Sequence, residues 1–174
     1  MKMQFTYNIF LIGFMGSGKS TVADYLCEKF DMDVVEMDQV IAERERMSIS
    51  DIFEKHGELY FRDLETKLLV ELQEKTNTVV SCGGGVAMRE CNVTEMKKHG
   101  KVVLLIAKPE TILERVENNH DRPLLENNKT VAYIAELMEK RREKYEAAAD
   151  MIIETDGKSA QKICEEMIQR LGEQ

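Results

Sequence analysis

Short runs of apolar, β-favouring residues alternate along the chain with longer stretches in which apolar side chains recur every three or four positions. The runs predict five strands, at 7–12, 34–37, 78–81, 102–106 and 151–154. Several are apolar at consecutive positions, the pattern of strands covered on both faces. Val22, Leu26 and Phe30 fall on one face of a helix that starts within a glycine-rich turn and runs to about residue 30. Ser48 and Asp51 form a capping-box pattern ahead of Ile52 and Phe53, and Pro109 opens a helix carrying Ile112 and Val116. Ile163, Met167 and Leu171 mark the last helix. This alternation predicts an α/β protein of three layers, a central five-stranded parallel sheet with helices on both faces. With 174 residues, no internal repeat and only two prolines, the chain is read as a single domain spanning 1–174. One stretch fits neither period: residues 117–129, E-N-N-H-D-R-P-L-L-E-N-N-K, are polar and turn-forming around Pro123 and predict a mobile lid.

Charge narrows the partners. Acidic side chains outnumber basic ones by 32 to 24, and a net charge of −8 repels a nucleic-acid backbone. A local cluster of arginines still attracts a small anion, because at a few ångströms the nearest charges dominate. Cys27, Cys82, Cys91 and Cys164 form no C-x-x-C pair and are expected as reduced thiols. No apolar run is long enough for a signal peptide or a membrane span, so a cytoplasmic protein without a membrane partner is expected, with a monomer as the default.

Gly13-Phe14-Met15-Gly16-Ser17-Gly18-Lys19-Ser20 matches G-x-x-x-x-G-K-[ST] at every fixed position, between a predicted strand and a predicted helix. Glycines let backbone N–H groups and the helix N-terminus approach phosphate oxygens closely. Gly13, Gly16, Ser17, Gly18, Lys19, Ser20 and Thr21 therefore make up the expected ATP cradle. Lys19 reaches the β and γ phosphates there, and the Ser20 hydroxyl ligates Mg²⁺. Gly157-Lys158-Ser159 repeats the tripeptide, but Ile152 stands where the leading glycine belongs, and it reads as a turn and helix cap. The glycines at 13, 16 and 18 are out of order for a dinucleotide fingerprint.

A phosphate cradle fixes the donor and leaves the acceptor open. A guanine-reading N-K-x-D is missing, since Asn128-Lys129-Thr130-Val131 lacks the aspartate. Glu36 and Asp38 close the second strand on one face of an extended chain, placed to orient or deprotonate a hydroxyl; they read equally well as caps of a helix starting at Gln39. Arg62 and Glu65 lie one turn apart on a helix, either a fork held for an anion or a solvated surface pair. Gly83-Gly84-Gly85 follows the third strand, either backbone close to a ligand or a flexible turn.

Taken together, Gly13 to Ser20, Glu36-x-Asp38, Phe61-Arg62-x-x-Glu65, Gly83-Gly84-Gly85, Arg122-Pro123-Leu124-Leu125 and Arg141 followed by Tyr145 resemble bacterial shikimate kinase in order and separation over nearly the whole chain. The resemblance implies a nucleoside-monophosphate-kinase-like fold and transfer of the ATP γ-phosphate to the 3-hydroxyl of shikimate, with Mg²⁺. It implies that Asp38 hydrogen-bonds the ring hydroxyls and orients or deprotonates the acceptor. Arg62 and Arg141 would hold the shikimate carboxylate, with the Gly83, Gly84 and Gly85 backbone nearby. Arg122, on the lid, would close over the phosphates and, with Lys19 and Asp38, form the catalytic set; Arg115 would lie against the adenine.

Three positions depart from the family or leave it open. Glu36 stands where the family usually has aspartate, Cys82 where it has a small hydroxyl or apolar residue, and Arg142 directly follows Arg141, with the spacing to Tyr145 favouring Arg141. His120 reads as a solvent-facing loop residue, and His56 and His99 as helix ends. The competing expectations are a related kinase for gluconate or a nucleoside monophosphate, and a nucleotide-binding module without catalysis.

Overall fold

The computed structural model describes residues 4–117 and 130–172. Five strands are present: β1 (Asn8–Ile12), β2 (Asp33–Glu36), β3 (Thr78–Ser81), β4 (Gly100–Ile106) and β5 (Met151–Glu154). They form one parallel sheet in the order β2-β3-β1-β4-β5. The helices among the described residues are α1 (Lys19–Phe30), α2 (Met37–Glu45), α3 (Ile49–His56), α4 (Glu58–Glu71), α5 (Glu90–Lys98), α6 (Pro109–Val116), α7 (Val131–Ala148) and α8 (Ala160–Gly172), with short 3₁₀ turns at Leu72–Glu74 and Val86–Met88.

Consecutive apolar residues in β1 are consumed by two separate cores. Ile9 and Leu11 face one way with Val79, Val103 and Leu105, onto Val22 and Leu26 of α1 and Ile163 and Met167 of α8. Phe10 and Ile12 face the other way with Val80, Val102 and Leu104, onto Ile52, Phe61, Met96 and Ile112. Because successive side chains of a strand point to opposite faces, a strand buried on both has no polar positions to alternate with. The edge strand β5 does alternate, buried at Met151 and Ile153 and exposed at Ile152 and Glu154.

The local signals act as physical chemistry requires. Ser48 Oγ accepts from the Asp51 N–H at 3.1 Å and caps α3. Pro109 opens α6. Gly157 turns at φ 68°, and Ser159 Oγ accepts from the Lys162 N–H at 3.1 Å at the head of α8. The structure moves four strand ends, two of them, the starts of β1 at Asn8 and of β2 at Asp33, by one residue. β4 begins at Gly100, two residues before the predicted start, and β2 ends at Glu36, where Met37 turns into α2.

Winding reverses about β1, with β3 and β2 on one side and β4 and β5 on the other. A crevice therefore opens at the carboxyl end of β1, where doubly wound sheets bind ligands. No helix among the described residues is long and apolar enough to cross a membrane. The lid expected at 117–129, with Arg122 and His120 in it, lies outside the described residues except for Glu117.

Candidate functional site

The turn between β1 and α1 has φ values of 144° at Gly13, 81° at Gly16 and 101° at Gly18, all in the region that side chains avoid. Sterics add to this at Gly16, where a Cβ would stand 2.8 Å from Val116 Cγ1. The loop curls so tightly that Lys19, only 9% exposed, donates from Nζ to the carbonyls of Gly13 at 2.7 Å and Phe14 at 3.1 Å. Gly18 is the N-cap of α1 and carries no capping side chain, so the first N–H groups of the helix stay available at the loop.

Glu36 and Asp38 line the same cleft as this loop. They do not share an extended face, because β2 ends at Glu36 and Asp38 lies in the first turn of α2. Nor does Glu36 cap that helix with its side chain. Instead Ser20 Oγ donates to Glu36 Oε2 at 3.1 Å, which ties the strand end to the phosphate loop. Burial raises the Glu36 carboxyl above its ordinary value, and the hydroxyls of Ser20 and Ser81 offset part of that. Ser20, Glu36 and Asp38 line one cleft with Lys19, Gly83 and Gly84.

Gly83, Gly84 and Gly85 are not a slack hinge. A Cβ on Gly83 would lie 2.8 Å from Glu65 Oε2 and 3.0 Å from Asp38 Oδ1. One on Gly84 would lie 3.1 Å from Arg141 Nη1, and one on Gly85 only 2.7 Å from Arg62 Nη2. Each glycine thus backs directly onto a charged side chain, and no other residue type leaves room for all of them.

The pair on α4 is buried. Arg62 Nη1 donates to Glu65 Oε1 at 2.9 Å, with the Glu65 side chain fully buried and that of Arg62 17% exposed. The surface-pair expectation is therefore wrong for these residues. Glu65 takes a place in the inward stripe of Phe61, Leu68 and Leu72. A glutamate in such a stripe was the available signal in the sequence. The rings of Phe61 and Phe53 lie 5.4 Å and 5.9 Å from the Arg62 guanidinium carbon.

Burial pushes the Glu65 carboxyl up to about 7 against the pull of Arg62. Because this folded value is raised, the group's stability contribution is complete below the ordinary glutamate range and is lost as pH rises through about 7. The wild-type urea midpoint is expected to fall between about pH 5 and about pH 8, by at most about 3 kcal/mol of stability, and to fall less in Glu65→Gln. Parallel pH profiles for the two proteins would contradict this.

Arg141 and Arg142 part company on α7. Arg142 is held outward by Glu139 and Glu146 at 3.1 and 3.6 Å, with its side chain 59% exposed. Arg141 turns to Gly84, with its guanidinium carbon 5.9 Å from the Phe14 ring centre and Nη1 donating to Tyr145 Oη at 3.5 Å. Tyr145 in turn donates to the Gly84 carbonyl. Arg115 donates to the Gly16 carbonyl at 2.9 Å and reaches Thr155 Oγ1 at 3.4 Å. The turn after β5 is therefore a neighbour of the cradle that composition does not mark. Cys82 is fully enclosed, and burial pushes its thiol far above the ordinary cysteine value, so it takes no part as a thiolate.

Comparison with known proteins gives one consistent family. The family model described as shikimate kinase matches residues 15–172. A shikimate kinase of Persephonella marina is 44% identical over 94% of this chain and 98% of its own length. A solved shikimate kinase from Acinetobacter baumannii, in complex with shikimate, superposes with a TM-score of 0.90 at 33% identity, over 95% of this chain and 92% of that one. A gluconokinase from Sinorhizobium meliloti, 17% identical with a TM-score of 0.60 over 98% of this chain and 94% of that one, shares the fold alone.

Proposed function

The chain belongs to the shikimate kinase family of ATP-dependent phosphotransferases, and on that premise we propose that it transfers the γ-phosphoryl group of ATP to the 3-hydroxyl of shikimate. The products are shikimate 3-phosphate and ADP. The observation that carries this reading is that Asp38 lines one cleft with Lys19 and Ser20, with Arg62 and Arg141 backing the adjoining glycine turn. Such a site suits an acceptor with an anion at one end and hydroxyls at the other.

In the proposed reaction the loop amides and the Lys19 ammonium bind the phosphates, and Arg115 with the turn after β5 bounds the adenine side. Arg62 and Arg141 bind the carboxylate of shikimate, with Glu65 holding the Arg62 fork in its plane. Asp38 orients the 3-hydroxyl toward the γ-phosphorus and accepts its proton as the new O–P bond forms and the bond to the β-phosphate oxygen breaks. The hydroxyl of Ser20 and the carboxylate of Glu36, already bonded to each other, are hard oxygen donors of the kind Mg²⁺ takes. Ser20 would hold the ion, with Glu36 beside it, one methylene longer than the family's aspartate. When bound, Mg²⁺ neutralises charge on the phosphates. Arg122 is assigned to the phosphates by resemblance to the family.

The experiment is an acceptor panel in an ADP-coupled assay: shikimate, gluconate and nucleoside monophosphates, each with and without Mg²⁺. ADP release that depends on shikimate and Mg²⁺ is expected. Preferential turnover of another acceptor, or an ATPase rate that shikimate does not change, would sink the proposal.

A further inference from the structure

The arginine and the glycine turn assigned to the acceptor come from elements distant in sequence. Arg62 and Glu65 ride on α4, while Gly83, Gly84 and Gly85 follow β3. Their separation is tight, since a Cβ on Gly85 would stand 2.7 Å from Arg62 Nη2 and one on Gly83 2.8 Å from Glu65 Oε2. A small shift of α4 against the turn therefore moves the guanidinium relative to the backbone it lies on.

One buried side chain links α4 to the end of that turn. Asn92, in the first turn of α5 and 1% exposed, donates from Nδ2 to the Val86 carbonyl at 2.9 Å, one residue past Gly85. Its Oδ1 accepts from Thr66 Oγ1 at 2.7 Å, and Thr66 is the residue after Glu65, one turn beyond Arg62. Because a carbonyl only accepts, Val86 settles which end of the amide faces Thr66. Thr66 Oγ1 also accepts from Arg89 Nη1 at 3.2 Å, and Arg89 pairs with Asp63 of α4 at 3.0 Å. None of Thr66, Arg89 and Asn92 lines the cleft itself. An apolar pair of the same shape would stabilise the fold about as well, so what the directional bridge adds is a fixed distance.

We propose that Asn92 and Thr66 are positioning residues for the acceptor, their amide-to-hydroxyl bridge setting the spacing between Arg62 and the glycine turn. The proposal rests on the reading of this cleft as the shikimate site. Thr66→Val removes the hydroxyl at nearly constant volume and leaves Asn92 Oδ1 without its oxygen donor. Its KM for shikimate is expected to rise about tenfold, with the KM for ATP unchanged and kcat within about threefold of wild type. Thr66→Ser, which keeps the hydroxyl, is expected to behave as wild type.

A merely structural role would lower the melting temperature without splitting the two KM values. A shikimate KM in Thr66→Val within about twofold of wild type, a parallel rise in the ATP KM, or a serine variant no better than valine would each overturn the proposal. Should the valine variant fail to fold, Thr66→Ala is read in the same way, since alanine favours the interior of α4. Wild-type protein with no shikimate-dependent ADP release overturns the acceptor reading and this inference together. An active wild type with an insensitive Thr66→Val overturns this inference alone.

Discussion

Asp38→Asn is expected to lower kcat by about 10² to 10⁴ while leaving the KM for ATP where it is. Asparagine keeps the volume of aspartate and still hydrogen-bonds a hydroxyl, so the acceptor is still bound. It cannot take a proton, and it does not carry the charge that draws the hydroxyl toward the phosphorus. The proposed donor cradle lies on a separate element, the β1 to α1 turn, and is untouched by the change. Glu36 and Glu65 stand close enough to feel the Asp38 charge, yet neither is free to replace it. Glu36 is held by Ser20, and Glu65 is committed to Arg62. Steady-state kinetics with shikimate and ATP varied in turn make the check. A kcat near that of wild type would remove Asp38 from the chemistry.

Lys19→Met should cost at least about 10³ in kcat/KM and, unlike the Asp38 change, should weaken nucleotide binding as well. Two effects combine. In the proposed reaction the ammonium is the cation of the loop that meets the phosphates, where charge develops during transfer. Its bonds to the Gly13 and Phe14 carbonyls, at 2.7 and 3.1 Å, also close the loop on itself, so its removal loosens the amides that grip the nucleotide. Methionine fills the space of the buried stem, and the melting temperature is expected to change little. Calorimetric titration with ADP separates the variants: Asp38→Asn binds normally and Lys19→Met does not. Normal ADP binding by Lys19→Met would show that the loop amides suffice without the charge.

The two residues owe their positions to interactions of different range. Lys19 belongs to eight consecutive residues whose conformation is local, because three glycines at positive φ and a helix N-terminus make the cradle by themselves. The sequence pattern places Asp38 at a strand end, whereas in the structure it lies in the first turn of α2 and still lines the cleft. A shift of one residue at a boundary left its neighbourhood intact, since a short strand feeding directly into a helix delivers both ends to the same edge of the sheet.

By itself the sequence determined the alternating strands and helices, the phosphate loop and the caps at Ser48, Pro109 and Ser159, all interactions among residues a few positions apart. Only the tertiary structure decided that the Arg62–Glu65 pair is buried, that Arg141 and not Arg142 turns to Gly84, and that three glycines are spacers for charged side chains. Each of those depends on which face of a helix meets the sheet and on what stands opposite. That outcome is set by packing between elements dozens of residues apart, and the neighbouring sequence marks only the apolar stripe of α4 in which Glu65 falls.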